Sequence, residues 1–294
     1  MGILARQITA LAVGFGTLVA FRLPLGAMGA ETPERKSRDA QESEETMRLI
    51  DAELPKWKIS VGTARDVELK LEPKSVLKWA NPGVGRVHGG VYIWTKDGRP
   101  EVVLSLFKVW EPLWGFQAEM HSLSQDEMTV ERDGTIMWQP NRPGLTLKDL
   151  PDSPDPAITP ARRLPQMRML AKDFSASMID YRRNELGERQ ELRLLPQPIY
   201  RYQSTDPDVL DGAMFTFVFG TDPEIFLLIE AHDMNGAPGW KYALARMNFD
   251  VLTVVYKKRE VWHAERVKNE TRFHEPYILF NVPETARRAA PEAK

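Results

Sequence analysis

The chain has 294 residues, 43% hydrophobic and 27% charged, a balance that excludes disorder over most of its length. Lys plus Arg number 39 against 41 Asp plus Glu, so the formal charge of -2 gives no global field to draw in nucleic acid or anionic lipid. The absence of cysteine excludes disulfides, thiol nucleophiles, iron–sulfur clusters and Cys-ligated zinc.

The first thirty residues have the layout of a secretory signal. Arg6 supplies a positive flank, the run from Ile8 to Phe21 is apolar, and small residues follow at Gly26, Ala27, Gly29 and Ala30. Fourteen apolar residues ending at Arg22 fall short of the roughly 20 that span a bilayer, so export with cleavage near Ala30 is expected. The protein would then be periplasmic or extracellular, touching membrane only through the uncleaved signal segment. Residues 31–45 are charged and read as a linker.

Displacing the chain by 123 residues lays Asp66–Trp79 over Arg189–Tyr202 and matches Glu68, Leu69, Leu71 and Pro73 to Glu191, Leu192, Leu194 and Pro196. The frame continues through Gly89, Pro100 and Leu104, and after one inserted residue it matches Gly115 to Gly239 and Trp138 to Trp262. Two diverged tandem units are therefore expected, at 46–140 and 161–282, joined by a Pro-rich linker at 141–160 and followed by a tail at 283–294. Met47, Ile50, Leu54 and Trp57 precede the first copy at helical steps. Leu164, Met167, Leu170, Phe174, Met178 and Tyr181 do so before the second, with Pro165 and Gly187 as punctuation. The expected fold class is α+β: each unit a helix followed by a roughly five-stranded antiparallel sheet, in the manner of cystatin-like or NTF2-like folds.

Strand faces locate the candidate chemistry. Phe116, Ala118 and Met120 share one face, matched by Trp240, Tyr242 and Leu244, and form the core side. Glu119 and His121 lie on the other face, two residues apart, where they could share a proton or act as a catalytic pair. A neighbouring carboxylate would raise the imidazole pKa. Their counterparts are Ala243 and Ala245, so the scaffold itself does not demand them; the competing explanation is a polar face that meets water. His88 could approach from a neighbouring strand. Trp110 and Trp114 flank Pro112 as an exposed aromatic edge for a ligand, and Arg246, opposite Ser122 in the repeat frame, could bridge a carboxylate. The histidines show no metal-ligand spacing, and no nucleophile elbow, phosphate loop or dinucleotide fingerprint occurs, so no metal or cofactor is expected.

The segments ELRLLPQPIYRY from Glu191, GTDPEIFLLIEA from Gly220 and YALARM from Tyr242, together with HSLS and ERDG in the first copy, resemble exported proteins of planctomycete-type bacteria. The resemblance implies an envelope setting and brings no activity. The expectation is a noncatalytic exported module that binds a small molecule or an envelope component, without nucleic acid. The alternative is a hydrolase or isomerase using Glu119 and His121.

Overall fold

The computed structural model describes residues 33–283 except 84, 113, 182–184, 235 and 269–271. The expected signal segment and most of the expected tail lie outside the described residues. The first half comprises α1 (Pro33–Glu53), β1 (Trp57–Val61), β2 (Val67–Glu68), β3 (Lys70–Leu71), β4 (Leu77–Ala80), β5 (Arg86–Lys96), β6 (Arg99–Glu111), β7 (Gly115–Ser122), β8 (Met128–Arg132) and β9 (Thr135–Trp138). After β10 (Lys148–Asp149) come α2 (Pro160–Ala171), β11 (Phe174–Asp180), β12 (Glu188–Leu194), β13 (Tyr200–Tyr202), β14 (Val209–Phe219), β15 (Asp222–Met234), β16 (Ala237–Arg246), β17 (Val251–Tyr256), β18 (Arg259–Ala264) and β19 (Tyr277–Asn281). Among the described residues no helix is long and apolar enough to cross a membrane.

The α+β expectation is overturned. Among the described residues strand accounts for 51% and helix for 15%, with two α-helices, so neither half is a helix followed by a five-stranded sheet. The reason lies in a shared multiple. A spacing of four residues suits both the 3.6-residue helix and the two-residue strand repeat, and Phe174 and Met178 are strand positions with buried Ala176 between them. Helix α2 stops at Ala171, Pro165 lies inside it, and Gly187 belongs to the β11–β12 hairpin with φ 73°. Nor does a sheet wrap round a helix. The inner face of β5–β7 is covered by Trp57, Ile59 and Val61 of β1 and by Met128 and Val130 of β8, while α1 and its last turn add Ile50 and Leu54.

The expected linker at 31–45 is helical from Pro33, because its Glu, Arg, Lys and Ala residues are good helix formers. It docks through polar contacts: Glu42 pairs with Arg86, and Thr46 accepts a hydrogen bond from Trp110 Nε1 at 3.1 Å. Helix α2 is pinned by buried Arg163, which reaches Asp211 at 3.2 Å and the carbonyls of Ala157, Ile158 and Leu210.

What recurs along the chain is a ladder register. Leu77 pairs with Val91 and Tyr200 with Met214; Tyr92 pairs with Leu104 and Phe215 with Leu227; Val130 pairs with Trp138 and Val254 with Trp262. The β-bulges recur as well, at Trp94/Thr95 and Phe217/Val218. The matched glycines have a steric cause: a Cβ on Gly89 would lie 2.4 Å from the Trp79 ring, and one on Gly212 would lie 2.3 Å from the Tyr202 ring.

Each half has its own core, and a third core joins them. In the joining core Val91, Ile93, Val103 and Phe107 share a cluster with Met214, Phe226, Leu228, Ala243 and Ala245. The strand leaving each half then crosses to the edge of the other. β10 pairs with β16 and β19 pairs with β7, extended by the bonds Leu150 N to Trp240 O at 2.8 Å and Val282 N to Phe116 O at 2.9 Å. The segment expected to be linker thus buries Leu145 and Leu150.

Trp138 is fully buried whereas its counterpart Trp262 is partly exposed. Trp138→Ala should cost about 3–5 kcal/mol and Trp262→Ala about 1–2 kcal/mol, measured by urea denaturation. Equal losses would contradict the asymmetry.

Candidate functional site

Glu119 and His121 project from one face of β7, which is turned to the other half, and both side chains are buried. The two side chains nevertheless line different cavities. Strand β19 lies alongside both: Tyr277 pairs with His121 and Leu279 with Glu119. The Tyr277 hydroxyl donates to Glu119 Oε1, while its ring centroid is 6.3 Å from that of His121. Burial, then the charge of Glu119 and its hydrogen bond, drive the Tyr277 pKa upward.

His121 Nδ1 lies 2.7 Å from the Ser122 carbonyl, so Nδ1 carries the proton and Nε2 keeps the lone pair. The expected raised histidine is corrected here. Burial pushes its pKa down to about 4, opposed by the Ser122 bond and reinforced by Arg246 and Arg272. The imidazole is neutral near pH 7.

The remaining expected ligand residues disperse. His88 sits on the α1 side of the sheet, opposite the face that carries Glu119, with Nε2 3.3 Å from Asp39 of α1; the even-numbered residues of β5 point that way. Trp110 is half-buried beneath α1. Trp114 is 51% exposed, and its ring carries Lys108 Nζ at 3.2 Å from the centroid. Arg246 feels the charges of Glu119 and Asp250. Its guanidinium donates to the carbonyls of Asn248, Glu265 and Asp250 at 2.8, 2.8 and 2.7 Å, and it lies 5.0 Å from the Tyr277 ring centroid.

The cavity that Glu119 lines is a cleft of 470 Å³ between the halves. Trp79, Val87, Phe107 and Val109 come from the first half, Met247 and Phe249 from the second, and Leu279 from β19. Three carboxylates, Glu119, Asp222 and Glu224, share this apolar setting. Their hydrogen-bond donors include Tyr277 Oη for Glu119, Asn81 Nδ2 at 2.9 Å for Asp222, and Asn248 Nδ2 for Glu224.

The register offset relates this cleft to a second cavity, of 370 Å³, where Tyr202 stands for Trp79, Glu230 for Phe107, His232 for Val109, Glu101 for Glu224 and Arg99 for Asp222. There the two halves are locked by charge. Fully buried Glu230 accepts hydrogen bonds from Tyr202 Oη at 2.6 Å, His232 Nε2 at 2.8 Å and Arg99 Nε at 3.0 Å. Burial alone would raise the Glu230 pKa; the bond from His232 and the charge of Arg99 outweigh it and hold the carboxyl below its usual range. Burial raises Glu101 against the opposing Ser124 and Arg99. Sequence reasoning missed this cluster, although Glu230 and His232 have the same two-residue spacing as Glu119 and His121.

No protein-family model, curated protein or solved structure matches the chain, so the site is read from its own chemistry. No group of three or more His, Asp or Glu able to hold a metal occurs among the described residues.

The His121 geometry sets a pH dependence. Its folded pKa of about 4 lies below the unfolded value near 6.5, so the unfolded chain binds the proton first and stability falls as pH drops from about 6.5 toward 4. The full difference is about 3 kcal/mol. Denaturant titrations at pH 6.5 and 4.5 should show a smaller loss in His121→Gln than in the wild type; equal losses would count against a buried neutral imidazole.

Proposed function

We propose that this chain is a noncatalytic binding protein, and that its ligand has an apolar body and a positively charged end seated in the 470 Å³ cleft between the halves. One observation carries the reading: apolar walls from both halves converge on one cleft with the carboxylates Glu119, Asp222 and Glu224. The volume lies within the roughly 300–1,000 Å³ of small-molecule sites, and a few placed polar groups in an apolar wall are the pattern of such sites. A cation brought into low dielectric is held far more strongly by a carboxylate than it would be in water. The short apolar run after Arg6 supports an exported setting, where the ligand would be a small molecule or part of an envelope component.

The hydrolase or isomerase alternative has less behind it. A proton relay from Glu119 to His121 needs the pair to serve one reaction space, whereas they line separate cavities and His121 Nδ1 is engaged by Ser122 O.

Isothermal titration of the chain with n-octylamine and n-octanol separates charge recognition from apolar burial. The amine should bind about tenfold or more tightly than the alcohol, and Glu119→Gln should weaken the amine while leaving the alcohol unchanged. Equal affinities, or an amine indifferent to Glu119→Gln, would overturn the reading.

A further inference from the structure

A third cavity, of 270 Å³, has the opposite character to the acidic cleft. It collects side chains from parts of the chain that only the tertiary fold brings together: His121 from β7, Lys148 from β10, Arg246 from β16, Trp262 from β18, and Arg272 and Tyr277 around β19. Three permanent cations face one space, and no Asp or Glu is among its described lining residues.

Each cation is held in place by backbone carbonyls, and Arg272 also lies 3.9 Å from the Glu275 carboxylate. Arg246 spends a bond on each of three carbonyls, Arg272 Nε donates to Tyr277 O at 3.1 Å, and Lys148 Nζ donates to Val261 O at 3.0 Å. A guanidinium has five N–H groups, so both arginines retain donors beyond these bonds. Arg272 and Arg246 lie close enough to repel: the charge of Arg272 adds to burial in lowering the Arg246 pKa, against the opposing Tyr277, Glu119 and Asp250. Gathering like charges in a half-enclosed space costs free energy, which an anion between them offsets.

The walls favour a ring. Tyr242, Trp262 and Tyr277 line the cavity, and Trp262 is only partly buried where its counterpart Trp138 is sealed, with Nε1 donating to Glu275 O at 2.8 Å. The first half therefore closes the position that the second half leaves open. At 270 Å³ the space is below the roughly 300–1,000 Å³ of larger ligand sites, which limits the occupant to a small molecule.

We propose that this cavity is a binding site for a small aromatic carboxylate, its anionic group met by Arg246, Arg272 and Lys148 and its ring by Trp262 and Tyr242. The site is separate from the acidic cleft and does not depend on the reading given for that cleft.

The test is isothermal titration of the full chain with benzoate, against benzyl alcohol as the uncharged analogue and inorganic phosphate as the ringless anion. Benzoate should bind about tenfold more tightly than either. Arg272→Gln and Lys148→Gln should each weaken benzoate by about fivefold to tenfold and leave n-octylamine binding unchanged. Lys148 is exposed, so its variant keeps the test valid if loss of the Arg272 bond to Tyr277 O perturbs folding. Benzoate no tighter than benzyl alcohol, or unaffected by Lys148→Gln, would overturn the anion site; phosphate as tight as benzoate would overturn the role of the aromatic walls.

Discussion

The hairpins β5–β6 and β14–β15 are apolar on both faces, and each needs two covers. In β6, Val102, Leu104 and Leu106 face the first half's own core while Val103 and Phe107 face the other half; in β15, Ile225, Leu227 and Ile229 turn inward while Phe226 and Leu228 turn to the partner half. Exposing the joining face would return side chains worth about 1.5–3 kcal/mol each to water. Neither half can shed the other cheaply. The crossing of β10 to β16 and of β19 to β7 adds main-chain bonds across the same boundary, so the covalent path enforces what the apolar faces require.

Because the two halves share a ladder register and meet face to face, corresponding positions appear twice around the boundary, and their side chains differ. At one end Arg99, Glu101, Tyr202, Glu230 and His232 form a charged lock. At the other, Trp79, Phe107 and Val109 replace the tyrosine, the glutamate and the histidine, and a cleft with carboxylates results. A buried ion cluster with every partner in place holds the halves in one register, which is specificity more than net stability. At the apolar end the halves are fastened by hydrogen bonds, Asn81 Nδ2 to Asp222 and Ala80 N to Thr221 Oγ1.

Much of this was legible in the sequence, and the limits have physical causes. The identities at Gly89/Gly212 and Leu71/Leu194 reported a recurring ladder because steric contact with Trp79 and Tyr202 and strand pairing constrain those positions alike. The two faces of β7 followed from alternation. The extent of the helices did not, since Phe174 and Met178 satisfy strand and helix periods together. That α1 docks on the sheet depends on the Glu42–Arg86 pair and the Trp110 Nε1 bond to Thr46, contacts made across the chain. The separation of Glu119 from His121 was hidden because it depends on β19, which returns from the second half to lie beside both. Glu230 and His232 had a visible spacing, but Arg99 comes from the opposite half and no local signal announces it.

The central claim is that the two halves form one cooperative body across the joining core. Native-state hydrogen exchange of the Leu104 and Leu227 amides, followed through low concentrations of urea, tests it most directly, since each reports the opening of the core of one half. The account predicts the same opening free energy and the same urea dependence for both, equal to those of global unfolding. A lower free energy with a smaller urea dependence for either amide would show that one half opens while the other stays folded, and would contradict it.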